Sequence, residues 1–286
     1  MAPVSTSSAL AEAVGQPSGP GRRQVSSRLE VEIGSPSRLV FQVAVADHAP
    51  GTVTESLELS LDGRPLAAVE VAGPHGGRLT TVTAGPGLLV LDYRAELTGR
   101  AAEPAVLPLD EIDYLRPSRY AEADRLVPIA RAEFAGLAPA ELVAAVPSWV
   151  GTRLSYVPGS SAPTDGAVDT LLQRQGVCRD YAHLVVGLLR ALDVPARLAA
   201  VYAPGLSPMD FHAVAEALVG GRWQVLDATL LAPRASLIRI ATGRDAADTA
   251  FLSAYGGIST LRGIQVGAVV EGRLPVEDVT AAVQLR

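Results

Sequence analysis

The chain has 286 residues, 48% of them hydrophobic, and a formal net charge of -6 from 24 basic and 30 acidic side chains. That is enough apolar content for one large or two modest cores, while acids and bases interspersed without a basic cluster exclude nucleic acid as an expected partner. No apolar run reaches the length of a membrane-spanning helix, so no membrane partner is expected, and the lack of any Lys or Asn removes a Lys nucleophile and a Cys-His-Asn triad.

Residues 1–25 are rich in Ser, Gly, Pro and Ala and lack the basic start and apolar centre of a signal peptide. They read as a disordered tail on a cytoplasmic protein. The single cysteine cannot form an internal disulfide, in keeping with a reducing compartment. Residues 26–115 read as an N-terminal β domain. Arg28–Ile33, Leu39–Val45, Ser56–Leu61 and Leu88–Tyr93 alternate or run apolar at strand length, with turn signals at 34–37, 62–65 and 73–77. Short strands at this spacing predict an antiparallel sandwich. His48 and His75 fall in its loops without acidic or sulfur neighbours and are expected at the surface.

Residues 98–116, broken by prolines, form a connector. The texture then changes to helix. Ser118 stands as a cap before Glu122 and Asp124, Ala138–Val150 is amphipathic, Leu154–Val157 is strand-like, and Thr164-Asp165-Gly166 introduces a helix over 167–173. Residues 116–286 read as one α+β unit. Its last thirty residues alternate around Ile264, Val269 and Val279–Leu285, and are expected to return strands to the sheet of the functional site.

Gly176 breaks the chain, and from Cys178 onward apolar residues fall at 181, 184, 185, 188, 189 and 192, the spacing of a helix with one buried face. The only cysteine thus opens a helix. Unsatisfied N–H groups and the positive end of the helix dipole favour its thiolate, and the same N–H groups suit an oxyanion. A buried, inert thiol is the plain alternative. A nucleophile needs a base. His183, five residues on, lies about 140° round the helix from the thiol, so it reads as a structural helix residue.

His212 is better placed. Phe211–Leu218 and Arg222–Ala228 flank Val219-Gly220-Gly221, a hairpin signal. With Gly220-Gly221 as a two-residue turn, Val219 faces Arg222 and Asp227 faces Val214, which shares a face with His212. The imidazole and carboxylate become diagonal neighbours about 7–8 Å apart at the backbone, within side-chain reach. Cys178, His212 and Asp227 then supply a nucleophile, a base and an orienting acid. The same three are zinc-ligand types, but their spacing lacks the close pairs of zinc sites, so neither metal nor cofactor is expected.

Gly176-Val177-Cys178-Arg179-Asp180-Tyr181-Ala182-His183-Leu184, Asp193-Val194-Pro195-Ala196-Arg197 with Tyr202, His212-Ala213 with Glu216, Trp223 with Asp227 and Thr229, and Gly243-Arg244-Asp245 with Asp248 together resemble the bacterial transglutaminase-like superfamily. The resemblance spans residues 115–256 closely, and the strand-rich front is similar to the β domain that accompanies the family in bacteria. It implies a papain-like cysteine fold, catalytic Cys178, base His212 and orienter Asp227. It also implies acyl transfer or hydrolysis on a glutamine carboxamide, peptide or isopeptide bond of a peptide or protein substrate. The Cys178 backbone N–H and Tyr156, at the position from which relatives supply an aromatic donor, are the candidate oxyanion groups. Val214 stands where the family usually has Trp, and Ala228 where Pro commonly follows the Asp. A non-catalytic binding or scaffold module on the same fold is the alternative reading. Asp245 and Asp248 read as a solvated turn outside the site.

Overall fold

The computed structural model describes residues 21–47 and 52–286. The expected disordered tail over 1–20, and His48, lie outside the described residues. The remainder of the expected tail is ordered, because β1 (Arg23–Ile33) begins at Arg23, whose guanidinium is buried and bonds the Gly99 carbonyl at 2.7 Å. The front half continues through β2 (Ser37–Phe41), β3 (Thr52–Leu61), β4 (Arg64–Pro65), β5 (Val69–Ala72), β6 (Arg78–Ala84) and β7 (Gly87–Thr98). The back half runs α1 (Asp110–Asp113), α2 (Ala123–Phe134), α3 (Pro139–Arg153), β8 (Ser155–Tyr156), α4 (Ala167–Gln173), β9 (Gln175–Gly176) and α5 (Cys178–Ala191). It goes on through β10 (Ala196–Tyr202), β11 (Phe211–Val219), β12 (Arg222–Leu226), β13 (Ile238–Gly243), α6 (Ala246–Thr249), β14 (Leu252–Tyr255) and β15 (Ser259–Val270). Mixed α and antiparallel β structure is the fold the sequence predicts.

Two antiparallel sheets, β15-β1-β7-β3-β4 and β14-β2-β6-β5, pack face to face. Alternation drives this: Val25, Leu29, Val31 and Ile33 of β1 point inward with Leu39 and Phe41 of β2 and Leu89, Leu91 and Tyr93 of β7. The same core runs on into Tyr202, Ile238 and Ile240, so the sandwich and the back half share buried surface.

The placement of β15 corrects the sequence reading. β15 pairs with β1 from Arg23↔Val270 to Ile33↔Ser259, and β14 pairs with β2. The C-terminal strands therefore complete the N-terminal sandwich instead of joining the sheet of His212 and Asp227. Alternation identifies a strand but not the edge it will cover, and eleven-residue β1 offers the longer ladder. The segment 279–285, also expected as a strand, forms none, but it touches the other sheet: the Val283 carbonyl accepts from Val225 N–H at 2.8 Å and Leu285 is buried with Ala199, Val201 and Val214.

The third sheet, β12-β11-β10-β13, lies against α5, with α2, α3 and α4 packed around that helix. The sequence predicts a helix with one buried face, yet every residue of α5 from Asp180 to Ala191 is buried. Its polar side is covered as well. Arg190 donates to the carbonyls of Ala196, Arg116 and Arg244 and to Ser118 Oγ, all between 2.7 and 3.0 Å. Ser118 is thus a partner of Arg190, and Glu122 takes the N-cap position of α2. Among the described residues no single helix is long and apolar enough to cross a membrane.

Candidate active site

Cys178 begins α5 because the preceding backbone is pinned. Asp180, buried in the first turn, accepts the Val177 N–H at 2.8 Å. Gly176 sits so close that a Cβ there would come within 2.7 Å of Asp180 Cβ, which excludes any larger residue without movement. Gly176 also forms half of a two-residue parallel bridge, Tyr156↔Gly176, tied further by Val157 N–H to the Gly176 carbonyl at 3.0 Å. That bridge carries Tyr156 to Cys178, with its hydroxyl against the Cys178 backbone. Burial, then the nearby Cys178 charge, pushes the phenol up to about 12, so it stays protonated and able to donate.

The hairpin forms in the register the sequence predicts. Val219 pairs with Arg222 and Ala215 with Leu226, and Gly220 and Gly221 turn at φ 61° and 72°, the two positive values of a type I′ turn. Strand parity then delivers the pair: His212 Nε2 lies 2.8 Å from Asp227 Oδ2, both side chains fully buried. Thr229 fixes the other carboxylate oxygen, its N–H and Oγ1 donating to Oδ1 at 2.8 and 2.6 Å. An ionised carboxylate only accepts, so Nε2 carries the hydrogen. Nδ1 has no hydrogen-bond partner among the described residues, and the Cys178 thiol acts on the charge of the ring.

The charges agree with this arrangement. Burial alone disfavours the imidazolium, but the charge and hydrogen bond of Asp227, then Cys178, outweigh it and push His212 up to about 10. Burial likewise opposes the Asp227 carboxylate. The His212 and Thr229 contacts prevail and hold it below the usual carboxylate range.

The remaining histidines divide. His183 is fully buried, stacks on Tyr120 at 5.3 Å between ring centroids and accepts the Ala246 N–H at 3.1 Å. Burial drives it down to about 3, so it is a neutral packing residue, as its helical angle predicts. His75 corrects the sequence reading of a surface loop residue. Its Nε2 lies 2.9 Å from the Tyr114 hydroxyl and 3.4 Å from Asp110, and its Nδ1 lies 3.3 Å from Arg197. Nothing local signals this, because the partners lie more than thirty residues away. Asp245 is also buried, not solvated: it accepts the N–H groups of Tyr120 and Ala247 at 2.9 Å.

The departures from the expected motif are absorbed by packing. Val214 is buried with Ala199, Val201 and Val225, and Ala228 packs at the edge of the helical core. Among the described residues no cluster of three His, Cys, Asp or Glu side chains has a metal-binding arrangement.

The core domain described as the transglutaminase-like superfamily matches residues 131–228, a span that contains Cys178, His212 and Asp227. A crystal structure from Cytophaga hutchinsonii, of a protein given provisionally as a cysteine protease, is 31% identical. The match covers 91% of this chain and 94% of that one, with a TM-score of 0.81. An uncharacterized protein of Mycobacterium leprae, ML0607, is 29% identical over 171 residues, 55% of this chain and 56% of its own length. The match thus spans about half the length of that curated relative.

Proposed function

The chain belongs to the transglutaminase-like superfamily, and from that premise we propose that it is a thiol enzyme acting on amide bonds, with Cys178 as nucleophile, His212 as base and acid, and Asp227 as orienter. The observation that carries the reading is the state of His212: its Nε2–H is committed to a buried carboxylate, its Nδ1 has no hydrogen-bond partner, and Cys178 helps raise its affinity for a proton. Nδ1 is thus the nitrogen free to hold the thiol proton.

In the proposed cycle Nδ1 holds the thiol proton while the sulfur attacks the carbonyl carbon and the carbonyl electron pair moves onto oxygen. The Cys178 backbone N–H and the Tyr156 hydroxyl receive that oxyanion. The C–N bond then breaks as His212 returns the proton to the leaving nitrogen, and a thioester remains. Water activated by His212 releases a carboxylic acid; an amine in its place gives transamidation. A peptide or protein amide is the proposed substrate.

Alkylation by iodoacetamide tests the pair. Cys178 is expected to react faster than an ordinary thiol at neutral pH, and His212→Ala to slow it. An ordinary rate in the wild type, unchanged in the variant, overturns the reading in favour of an inert module. Peptide amides, with and without amine acceptors, then test turnover against Cys178→Ala. Equal signal in both proteins places the chemistry elsewhere.

A further inference from the structure

The charges around Cys178 are unevenly spent. Arg179, next to the nucleophile, turns its guanidinium onto Ser161 Oγ at 2.6 Å, the Ala162 carbonyl at 2.7 Å and Asp180 at 3.3 Å. Asp180 in turn holds the Val177 N–H, and Asp227 is occupied by His212 and Thr229. One carboxylate is left over. Asp210 stands two residues before His212, at the mouth of β11, and is solvent-exposed. Asp210 lies in the loop that leads into β11, which begins at Phe211, and its charge is felt by both the His212 ring and the Tyr156 hydroxyl. Among the described residues its one hydrogen bond is from the Phe211 N–H, at 2.7 Å, and no arginine pairs with it. The chain has no lysine to offer.

The segment bearing Asp210 is anchored. Leu206 is buried in the core, the Pro204 carbonyl accepts Ser236 Oγ at 3.1 Å, and Gly205 packs against Leu274 and Pro233. The carboxylate is therefore presented from a held position. Burial on its inner side, partly offset by the Phe211 N–H and His212, keeps it above the usual carboxylate range, the mark of an acid without a cation.

We propose that Asp210 selects for positive charge on the amine side of the scissile amide, so that the favoured substrate carries a Lys or Arg side chain, or a second amino group, just beyond the leaving nitrogen. The direction follows from the proton path. His212 delivers its proton to the leaving nitrogen, so the leaving group lies on the His212 side of the sulfur. Asp210, in the loop that leads into the strand of His212, stands at the solvent edge of that side. The inference rests on the thiol-enzyme reading for its substrate, but the field of Asp210 at Cys178 is measurable without turnover.

Because Cys178 is the only cysteine, its modification by small methanethiosulfonate reagents reports this site alone. The test compares a trimethylammonium reagent with a sulfonate reagent on the native chain. The ratio of their rates cancels the fraction of thiolate, since both attack the same sulfur at the same pH. Normalised to a free thiol, the ratio is expected to favour the cation by about three- to fivefold, the scale of one solvent-accessible ion pair. It should fall toward one in Asp210→Asn, invert in Asp210→Arg, and shrink as salt shortens the screening length. A ratio that is the same in wild type and Asp210→Asn overturns the proposal.

The second arm measures kcat/KM on amides differing only in a Lys, Gln or Glu residue after the scissile bond. A preference for Lys that Asp210→Asn removes supports the substrate assignment, and one that survives overturns it. Reagent selectivity that follows Asp210 with no amide turned over leaves the acidic mouth standing and sinks the enzyme reading instead.

Discussion

His212 and Glu216 sit four residues apart on β11 and, by strand alternation, leave the same face, yet they end in opposite kinds of site. Each is buried against an opposite charge. Glu216 binds Arg197 Nε at 2.8 Å and Arg239 Nη2 at 2.7 Å, and Arg197 stacks on Trp223 at 3.7 Å while touching His75. Burial works against the Glu216 charge, but the two arginines pull the carboxyl down to about 2. Every oxygen there is spent. At His212 one nitrogen is spent and the other has no hydrogen-bond partner, in a ring whose charge the half-buried Cys178 also influences. Buried charge alone therefore does not distinguish the two sites; the unfilled hydrogen-bonding position on His212 does. The Glu216 cluster instead joins β10, β11 and β13 of one sheet to the loop of His75 in the sandwich.

The comparison breaks most visibly at the nucleophile. Cys178→Ala should reduce amide turnover by at least about 10³-fold, the scale seen when a nucleophile is removed, while leaving the melting temperature close to that of the wild type. Asp227→Asn comes next. The Asn amide offers an N–H toward Nε2, which moves the imidazole proton to the wrong nitrogen. A loss of about 10³- to 10⁴-fold in kcat is expected, with Thr229 still bonding the remaining oxygen. If Asp227→Asn retains near wild-type kcat, the orienting role fails.

Glu216→Gln tests the ion-paired end. Neutralising one member leaves two buried guanidinium groups under-compensated, and the expected destabilisation is about 3–5 kcal/mol, read as a fall of roughly 10 °C in melting temperature. Below that temperature Cys178 alkylation should keep its wild-type rate. If alkylation slows in the still-folded variant, the two ends of β11 are coupled and the contrast drawn here is wrong. Acid gives the same test without mutation. Because the folded Glu216 pKa lies below its ordinary value, its stabilisation is present above about 4.5 and is lost as pH falls through about 2. Tyr156→Phe is milder. A half-exposed phenol is a modest oxyanion donor, so a drop of about tenfold to a hundredfold in kcat is expected, with alkylation by iodoacetamide unaffected.

These sites were legible in the sequence to different depths. The Cys178 helix could be read because its period is local, and the His212-Asp227 pair because a two-glycine turn fixes register over a short hairpin. His75, Asp245 and Arg190 could not be read. Each is buried by a segment more than fifty residues away or on the other sheet, and no pattern around it records that. Asp210 was passed over because its meaning lies in the lack of a partner, which only the folded neighbourhood reveals. Strand β15 exposes the same limit, since its alternation fits either sheet and only the open edge of β1 decides.

The smallest expected effect is the pH profile, and its sign is fixed by which way His212 shifts. The folded imidazole is raised from about 6.5 to about 10, so the stability it gives is complete below about 6.5 and disappears as pH rises through about 10. In the proposed cycle the same proton is the one His212 hands to the leaving nitrogen. Between pH 7 and 9 kcat should therefore change less than about tenfold, with a basic limb emerging only toward pH 10. An Asp227→Asn protein, lacking the charge that raises the ring, should lose that limb at lower pH. The outcome that counts against the charge balance described here is a wild-type basic limb near pH 7. It would mean that burial, which opposes the imidazolium, outweighs Asp227, and that His212 is poised as a neutral ring beside a neutral thiol.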